Sequence, residues 1–375
     1  MKAVTDKLIK ATNRFGFRLF AELLKQQPNQ NIFISPLNIS IALSMLYNGA
    51  VSQTQAEMAI ALGIQDMSVP EVNQAHAQLI QQLEQLPDVQ VAIANSLWAE
   101  PNLQFRPDFL QRVQAFYHAE VENLDFGSSE ALATINRWAS DKTLGKIQQI
   151  VQRLSPATVL VLLNAIYFKG AWHSPFDPAQ TQLDLFTLLD GNQKLVPMMR
   201  QLHQYCCYQG QDFQAVRLPF GDQRLSLDVF LPQALTPISR SDQSLRLGNV
   251  ARWLGEFPTK SMTPRLVNLV MPSFQLEYEA KLELEQALIS LGMKQAFDAA
   301  ANFSQLCSGA AAISQITHKT FFEVNEVGAE AAAVTAIEME RGLPPTVTID
   351  RPFFCAIRDQ QTGAILFMGT VVDPA

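Results

Sequence analysis

The chain has 375 residues, of which 48% are hydrophobic and 17% are charged, so its composition is that of an ordinary globular protein and excludes a disordered one. Its formal net charge of -7 argues against a nucleic-acid-binding surface, because such surfaces need clustered lysine and arginine that release counterions. The four cysteines, Cys206, Cys207, Cys307 and Cys355, do not make a disulfide framework for a chain of this length and leave the compartment open.

The first half of the chain is predicted to be mostly helical. Apolar side chains recur at helical spacing over residues 7–25. Ser35-Pro36 supplies a helix cap followed by a first-turn proline, and the helix that begins there is apolar on most faces, which predicts a central position. Four further helices are predicted over residues 54–62, 69–86, 106–116 and 128–147.

From Val159 onward the composition changes and strands dominate. The apolar run from Val159 to Phe168 is about half as long as a membrane span and contains Asn164, so it is predicted to be a buried strand. Helices first and strands later predict an α+β fold with a mostly antiparallel or mixed sheet. No linker, low-complexity tract or repeat divides the chain, so residues 1–375 are predicted to form a single domain.

The N-terminal sequence, MKAVTDKLIKATNRFGFRLFAELL, passes directly from a few charges into an amphipathic helix pattern. It contains no apolar stretch of signal-peptide length and no small-residue cleavage site. As written, the chain is therefore expected to be cytoplasmic and to have no membrane partner. It is expected to be secreted or periplasmic if an export peptide has been removed.

The sequence carries no recognisable catalytic or metal-binding pattern. Its five histidines form no metal-ligand spacing, and no CxxC pair occurs. Lys169-Gly170 lacks the other residues of a phosphate-binding loop, and Cys307-Ser308-Gly309 is not a nucleophile elbow. We therefore expect no metal, no cofactor and no enzymatic activity.

The stretch 325–345, NEVGAEAAAVTAIEMERGLPP, carries conflicting structural signals. Alternate residues form a small or apolar face that suits a half-buried strand, namely Ala329, Ala331, Ala333, Thr335, Ile337 and Met339. Three glutamates fall on the other face: Glu330, Glu338 and Glu340. Alanine nevertheless favours helix, so a surface Ala/Glu helix is the competing interpretation of this window. Gly328 supplies a hinge, and Arg341 beside Gly342 suits cleavage by a protease.

The sequence as a whole resembles the serpin family over residues 7–374. The motifs that carry the resemblance occur in family order: NIFISPLNISIALSMLYNGA, LLNAIYFKGAWHSPF, FTLLDGNQKLVPMM, VRLPFGDQRLSLDVFLP, VNLVMPSFQLE, LISLGMKQAFDAAANFSQL, HKTFFEVNEVGAEAAAV and RPFFCAIRDQQTGAILFMGTVVDPA. The resemblance implies three β-sheets, about nine helices and an exposed reactive-centre loop over about residues 328–344. It also implies a monomer whose partner is a target serine protease.

In inhibitory serpins the protease cleaves this loop and forms an acyl-enzyme, and the freed loop then inserts into the large sheet and traps the protease. The residues that match the hinge of the loop are mostly small: Glu326, Gly328, Ala329, Glu330, Ala331, Ala332 and Ala333. Small side chains pass easily between parting strands, so an irreversible suicide-substrate inhibitor is expected. The alternative is a non-inhibitory serpin, with a carrier, chaperone or storage role, that is cleaved without trapping the protease.

Two positions compete for the reactive bond. Counted back from Leu343-Pro344-Pro345 it is Arg341-Gly342, whereas counted forward from Glu326 at the commonest family spacing it is Gly342-Leu343. Arginine suits an acidic specificity pocket and glycine offers no side chain, so Arg341 and trypsin-like targets are favoured.

Other positions are carried over from the resemblance one by one. The buried polar cluster of the family, called the shutter, corresponds to Ser35, Asn38, Asn164 and His318, and Trp172 matches the aromatic residue of the breach, where insertion begins. The usual basic partner of Glu326 is replaced by Ser273, so no hinge salt bridge is expected. Residues 69–86 contain no lysine or arginine, so we predict no heparin response.

Overall fold

The structure is a computed structural model that describes residues 2–86, 89–211, 213–233, 264–326 and 344–374. Seven α-helices lie within these residues: α1 (Lys2–Gln26), α2 (Pro36–Tyr47), α3 (Ser52–Leu62), α4 (Val69–Glu84), α5 (Pro107–Tyr117), α6 (Ser129–Lys142) and α7 (Leu282–Ser290). Two short 3-10 helices span Pro178–Gln180 and Gln295–Phe297.

Strands alternate with the helices early in the chain and dominate later. In chain order they are β1 (Ile32–Ile34), β2 (Val89–Ala99), β3 (Gln104–Phe105), β4 (Glu120–Asn123), β5 (Leu160–Gly170), β6 (Gln182–Thr187), β7 (Gln193–Gln209), β8 (Phe213–Pro219), β9 (Leu225–Pro232), β10 (Pro264–Pro272), β11 (Phe274–Ala280), β12 (Cys307–Ser308), β13 (Gln315–Val324), β14 (Thr346–Thr348), β15 (Phe353–Asp359) and β16 (Ile365–Val371).

These strands form three sheets, which confirms the predicted α+β class with mixed pairing. A nine-stranded sheet has the order β1-β16-β15-β9-β8-β7-β10-β14, with β6 pairing β7. A five-stranded sheet has the order β11-β13-β5-β2-β4, and β12 pairs β3 in a two-stranded ribbon. In the five-stranded sheet β13 is parallel to β5 and β2 is antiparallel to it.

Helix α2 occupies the centre of the molecule, as its apolar sequence predicted. Ser35 caps it by accepting a hydrogen bond from the Asn38 N–H, Pro36 occupies its first turn, and every residue of the helix is buried. It packs against β5 of the five-stranded sheet and β16 of the nine-stranded sheet. Polar side chains on α2 are thereby placed directly against β5.

The five-stranded sheet separates two apolar cores. Alternate residues of β5 enter different cores: Leu162 and Ile166 belong to the main core on the α2 side, while Leu163 packs in a second core beneath α6. Trp98 of β2 and Trp138 of α6 meet edge to face in that second core, with ring centroids 6.1 Å apart. Helix α6 therefore covers the face of the sheet opposite α2.

Helix α6 ends earlier than predicted, at Lys142 rather than near residue 147. Leu144 and Gly145 have φ angles of 57° and 77°, in the left-handed region that ends a helix. The chain then turns toward the sheet, and Ile147 is fully buried. The apolar pattern that suggested a longer helix belongs instead to this packed turn.

Candidate functional site at the seam of the five-stranded sheet

The boundary between β5 and β13, here called the seam, is the central feature of the candidate site. The two strands are parallel and pair directly, from Gln315 opposite Val161 to Phe322 opposite Phe168. The segment predicted to be the reactive loop follows β13 immediately in the chain. Because β5 and β13 are hydrogen-bonded neighbours, the sheet is closed at this position.

Most of the predicted loop residues lie outside the described residues. These are the hinge residues Gly328, Ala329, Glu330, Ala331, Ala332 and Ala333 and the two residues of the predicted reactive bond, Arg341 and Gly342. The described chain resumes at Pro344. The Pro345 carbonyl accepts a hydrogen bond from the Asn268 N–H at 3.0 Å, and β14 then pairs in parallel with β10.

The four predicted shutter residues meet beneath the seam, and all are buried. Asn164 of β5 and His318 of β13 lie directly opposite each other, and the His318 imidazole hydrogen-bonds the Asn164 carboxamide oxygen. From α2, Asn38 Nδ2 donates to the Ala165 carbonyl at 3.1 Å, and Asn164 Nδ2 donates to the Asn38 carbonyl at 3.0 Å. The cluster therefore ties α2 to both strands of the seam.

The hydrogen bonds of His318 define its tautomer and explain its electrostatics. Its Nε2 accepts the Ser35 N–H at 3.0 Å, so Nδ1 carries the proton and donates to Asn164. Burial away from any carboxylate partner disfavours the charged imidazolium and lowers the pKa of His318 to about 3. The ring therefore stays neutral at physiological pH and works as a fixed donor and acceptor pair across the seam.

The structure adds Asn95 of β2 to this cluster, a residue that sequence reasoning missed. Asn95 lies opposite Asn164 on the β2 side of β5. Its Nδ2 donates to Asn38 Oδ1 at 3.0 Å, and its Oδ1 accepts a hydrogen bond from Asn164 Nδ2. An asparagine within the apolar run VAIANSLWA was the available signal. We define the shutter cluster as Ser35, Asn38, Asn95, Asn164 and His318.

Trp172, the predicted breach residue, lies at the end of the seam from which the loop departs. Its indole Nε1 donates to the Asn325 carbonyl at 2.7 Å, directly after β13. The ring stacks on Phe220 with centroids 4.6 Å apart and meets Phe176 edge to face at 6.1 Å. Aromatic packing thus fixes the indole, and the indole holds the first residue beyond β13 through a hydrogen bond.

Among the described residues, Glu326 is held by hydroxyl and backbone groups. Its Oε1 accepts a hydrogen bond from Thr181 Oγ1 at 2.6 Å, and its carbonyl accepts the Phe176 N–H at 3.2 Å. Ser273, which replaces the usual basic partner, uses its own N–H to bond the Pro197 carbonyl at 3.0 Å. Thr181 was not predicted, because it is distant in sequence and its role depends on this tertiary contact.

Within the residues that the structure describes, no group of three or more His, Cys, Asp or Glu side chains is arranged to hold a metal ion. No helix among them is long and apolar enough to span a membrane. The candidate site consists of strand pairing, buried hydrogen bonds and aromatic packing.

Comparison with known proteins agrees with this geometry. The sequence profile of the family described as "Serpin (serine protease inhibitor)" matches residues 10–374. The chain belongs to the serpin family. It is 33% identical to human Serpin B8 over 389 residues, which cover 98% of this chain and 100% of that one.

Two solved serpin structures show the same fold. Human thyroxine-binding globulin, solved in complex with thyroxine, has a TM-score of 0.86 and 30% identity, covering 99% of this chain and 100% of the other. Native protease nexin-1 with heparin has a TM-score of 0.87 and 28% identity, with the same coverage. The three-sheet serpin fold is therefore established for this chain, and its relatives differ in what they bind.

Proposed function

We propose that this serpin is an irreversible, suicide-substrate inhibitor of trypsin-like serine proteases and is not itself an enzyme. The target protease attacks the Arg341 carbonyl, the peptide bond to Gly342 breaks, and an acyl-enzyme links the protease to Arg341. The freed loop then enters the seam before water hydrolyses that acyl bond. The protease is carried along and its active site is distorted.

The direction of the two seam strands is the observation that carries the proposal. A strand that turns back after β13 runs antiparallel to β13 and, because β5 is parallel to β13, antiparallel to β5 as well. Filling the seam therefore replaces one parallel ladder with two antiparallel ladders. Antiparallel pairs are slightly more stable per residue, and the added strand also satisfies its own backbone groups. The closed sheet is then a metastable state that a single cut releases.

The shutter cluster supports the same proposal because its bonds cross the seam. Entry of a strand has to separate His318 from Asn164, which breaks a hydrogen bond between buried groups. Breaking it without replacement is costly, so the cluster supplies part of the barrier that keeps the uncut protein closed. The small hinge residues then favour rapid entry once the loop is cut, namely Ala329, Ala331, Ala332 and Ala333.

The alternative is a non-inhibitory serpin. The structural similarity to thyroxine-binding globulin, a non-inhibitory serpin, supports it. Incubation with trypsin followed by a denaturing gel separates the two functions. A covalent complex that survives boiling supports inhibition, whereas loop cleavage with free protease supports the alternative.

The position of the reactive bond has its own test. Sequencing the released C-terminal fragment distinguishes a start at Gly342 from a start at Leu343. Arg341→Glu is expected to abolish the complex with trypsin while the protein still unfolds at its usual temperature.

We also propose that heparin does not accelerate inhibition. The protease nexin-1 neighbour was solved with heparin, but α4 of this chain, VPEVNQAHAQLIQQLE, contains no lysine or arginine. A polyanion-binding surface depends on clustered cations that release counterions. The second-order rate constant with trypsin is therefore expected to be the same with and without heparin, and an increase of more than about tenfold would contradict this.

A further inference from the structure

A lysine contacts both strands of the seam on the face opposite the shutter cluster. Tyr167 of β5 and Phe321 of β13 are directly paired, and their ring centroids are 5.9 Å apart. Lys146 Nζ lies 5.1 Å from the Phe321 centroid and 6.0 Å from the Tyr167 centroid. The same ammonium is 3.8 Å from Glu323 Oε2. One cation is therefore shared between an aromatic ring of each strand and a carboxylate of β13.

The position of Lys146 is fixed by a structured turn after α6. The Thr143 hydroxyl donates to the Ala139 carbonyl at 2.7 Å and accepts the Ile147 N–H at 3.0 Å. Leu144, a residue type that rarely adopts a positive φ, has φ of 57° in this turn. Such backbone strain persists only where the surroundings impose it, here the buried anchors on both sides. Lys146 is thereby presented to the seam from a second element, the α6 turn.

We propose that Lys146 is a positioning residue for inhibition, a clamp that holds Tyr167 and Phe321 together and sets the rate at which the cut loop enters. The proposal rests on the proposed function. A strand entering the seam moves β5 and β13 apart by about 4.8 Å, one extra strand spacing. Lys146 cannot then face both rings, so its contacts stabilise the closed sheet and are partly lost on opening.

The size of the effect follows from the exposure of the clamp. The side chains of Lys146 and Glu323 are 40% and 39% exposed, so both the cation–π contacts and the ion pair are modest in strength. Together they are expected to slow entry of a strand by about threefold to tenfold. A change of this size in the entry rate is large enough to alter the fraction of cut loops that insert before the acyl-enzyme is hydrolysed. It is also too small to prevent folding when the clamp is removed.

The direct test is the entry of a synthetic peptide into the uncut protein. The peptide GAEAAAVTAIEME, residues 328–340, is incubated with the protein, and its incorporation is followed by native gel mobility. Lys146→Met, which keeps the unbranched stem of the side chain and removes the ammonium, is expected to accelerate incorporation by about threefold to tenfold. Lys146→Arg is expected to restore the slow rate, because guanidinium also binds aromatic faces. Lys142→Met removes an exposed lysine at the end of α6 and serves as the matched control, with no expected change.

The outcomes separate the two proposals. Equal incorporation rates for wild type and Lys146→Met, or equal acceleration by Lys142→Met, overturn the clamp and leave the inhibitor proposal standing. Failure of the peptide to enter any variant overturns both, because then the seam does not accept a strand. If peptide enters Lys146→Arg as fast as it enters Lys146→Met, the positive charge of Lys146 is not what slows entry.

Two further variants divide the clamp into its parts. Phe321→Leu keeps an apolar side chain and removes one ring, and Glu323→Gln removes the ion pair but keeps the aromatic contacts. If the ring contacts dominate, Phe321→Leu accelerates peptide entry and raising the salt concentration has little effect. If the ion pair dominates, high salt accelerates entry in wild type and not in Glu323→Gln. Entry that responds to neither variant contradicts the clamp.

Discussion

Strand β5 has two neighbours, and the two sides of β5 differ in a way that bears on function. On one side β2 is antiparallel to β5 along its whole length, from Val89 opposite Gly170 to Ala99 opposite Leu160. On the other side β13 is parallel and pairs only as far as Phe322. Buried polar residues form one row across both boundaries. The two boundaries of β5 therefore have similar buried polar residues and differ in strand direction.

Strand direction decides which boundary gains from an additional strand. Because β2 and β5 are antiparallel, a strand placed between them is parallel to one and antiparallel to the other. One antiparallel ladder is then replaced by one parallel and one antiparallel ladder. A strand placed between β5 and β13 is antiparallel to both when it follows β13 through a turn. Only the second boundary gains two antiparallel ladders, and it is also the one next to the predicted loop. Under the proposed mechanism, β2 and β5 stay paired, while β5 and β13 separate when the loop enters.

The largest expected effect comes from a charge placed on the face of the loop that has to enter the seam. Ala331→Arg is expected to reduce covalent complex with trypsin by more than about a hundredfold, because a charge would have to be buried in the sheet. Loop cleavage continues, so the variant becomes a substrate. Densitometry of the complex and of the cleaved band measures this division.

Glu330→Arg is the matched control for that variant. It places the same side chain one residue away, on the face that already carries Glu330, Glu338 and Glu340. This variant is expected to keep most of its complex formation. Equal complex from Ala331→Arg and wild type would show that the loop does not enter the seam in the proposed alternation.

Strand order and direction explain which parts of the site were predictable. The apolar run around Asn164 and the cap at Ser35 carry strong local signals, and family motifs located His318 and Trp172. Asn95, like Asn164, is an asparagine within an apolar run. Its membership of the shutter cluster depends on β2 lying beside β5, which the sequence does not show. Local patterns do not specify which strands are neighbours.

Contacts on the outer side of the seam were even less predictable. Lys146 and Thr181 look like ordinary surface residues in the sequence, and each acquires a role from a partner more than a hundred residues away. The end of α6 was also missed, because the left-handed conformation at Leu144 is imposed by packing and not by residue type. Periodicity predicted most elements, whereas the contacts that cross the seam required tertiary structure.

The next largest effect is expected from Asn95→Leu, which tests whether β2 and β5 stay paired when the loop is cut. Asn95→Leu removes one partner each from Asn38 and Asn164, which stay buried, so a loss of about 1–3 kcal/mol in the free energy of unfolding is expected. The proposed mechanism keeps β2 and β5 paired before and after the cut, so the uncut and the cut protein should lose similar amounts. Denaturant unfolding of both forms measures the loss. A loss confined to the uncut form would show that the β2 side also opens.

A comparable effect is expected from acid. Burial lowers the pKa of both His318 and His76 to about 3, well below the ordinary value of 6.5. The unfolded chain therefore binds more protons than the folded one below pH 6.5, and stability present above pH 6.5 is lost as the pH falls toward 3. Each histidine is expected to contribute up to about 1.4 kcal/mol per pH unit in that interval.

The two histidines separate the seam from the rest of the core. His318 lies in the seam, whereas His76 of α4 is hydrogen-bonded to Ser44 of α2 at 3.1 Å. His318→Gln and His76→Gln are each expected to flatten the acid dependence of unfolding. Only His318→Gln is expected to flatten the acid dependence of peptide entry. If His76→Gln changes peptide entry equally, acid acts through global stability and not through the seam.

The smallest expected effect concerns Thr181, whose hydroxyl holds Glu326 just beyond β13. Thr181→Val keeps the shape of the side chain and removes this hydrogen bond, worth about 1 kcal/mol at a partly exposed site. Peptide entry is expected to accelerate by about threefold to fivefold. Thr187→Val, at the far end of β6, is the control and should leave the rate unchanged. Because the contact lies where the chain leaves β13, an unchanged rate in Thr181→Val would mean that opening does not begin at that end, and the breach would have to be placed elsewhere along the seam.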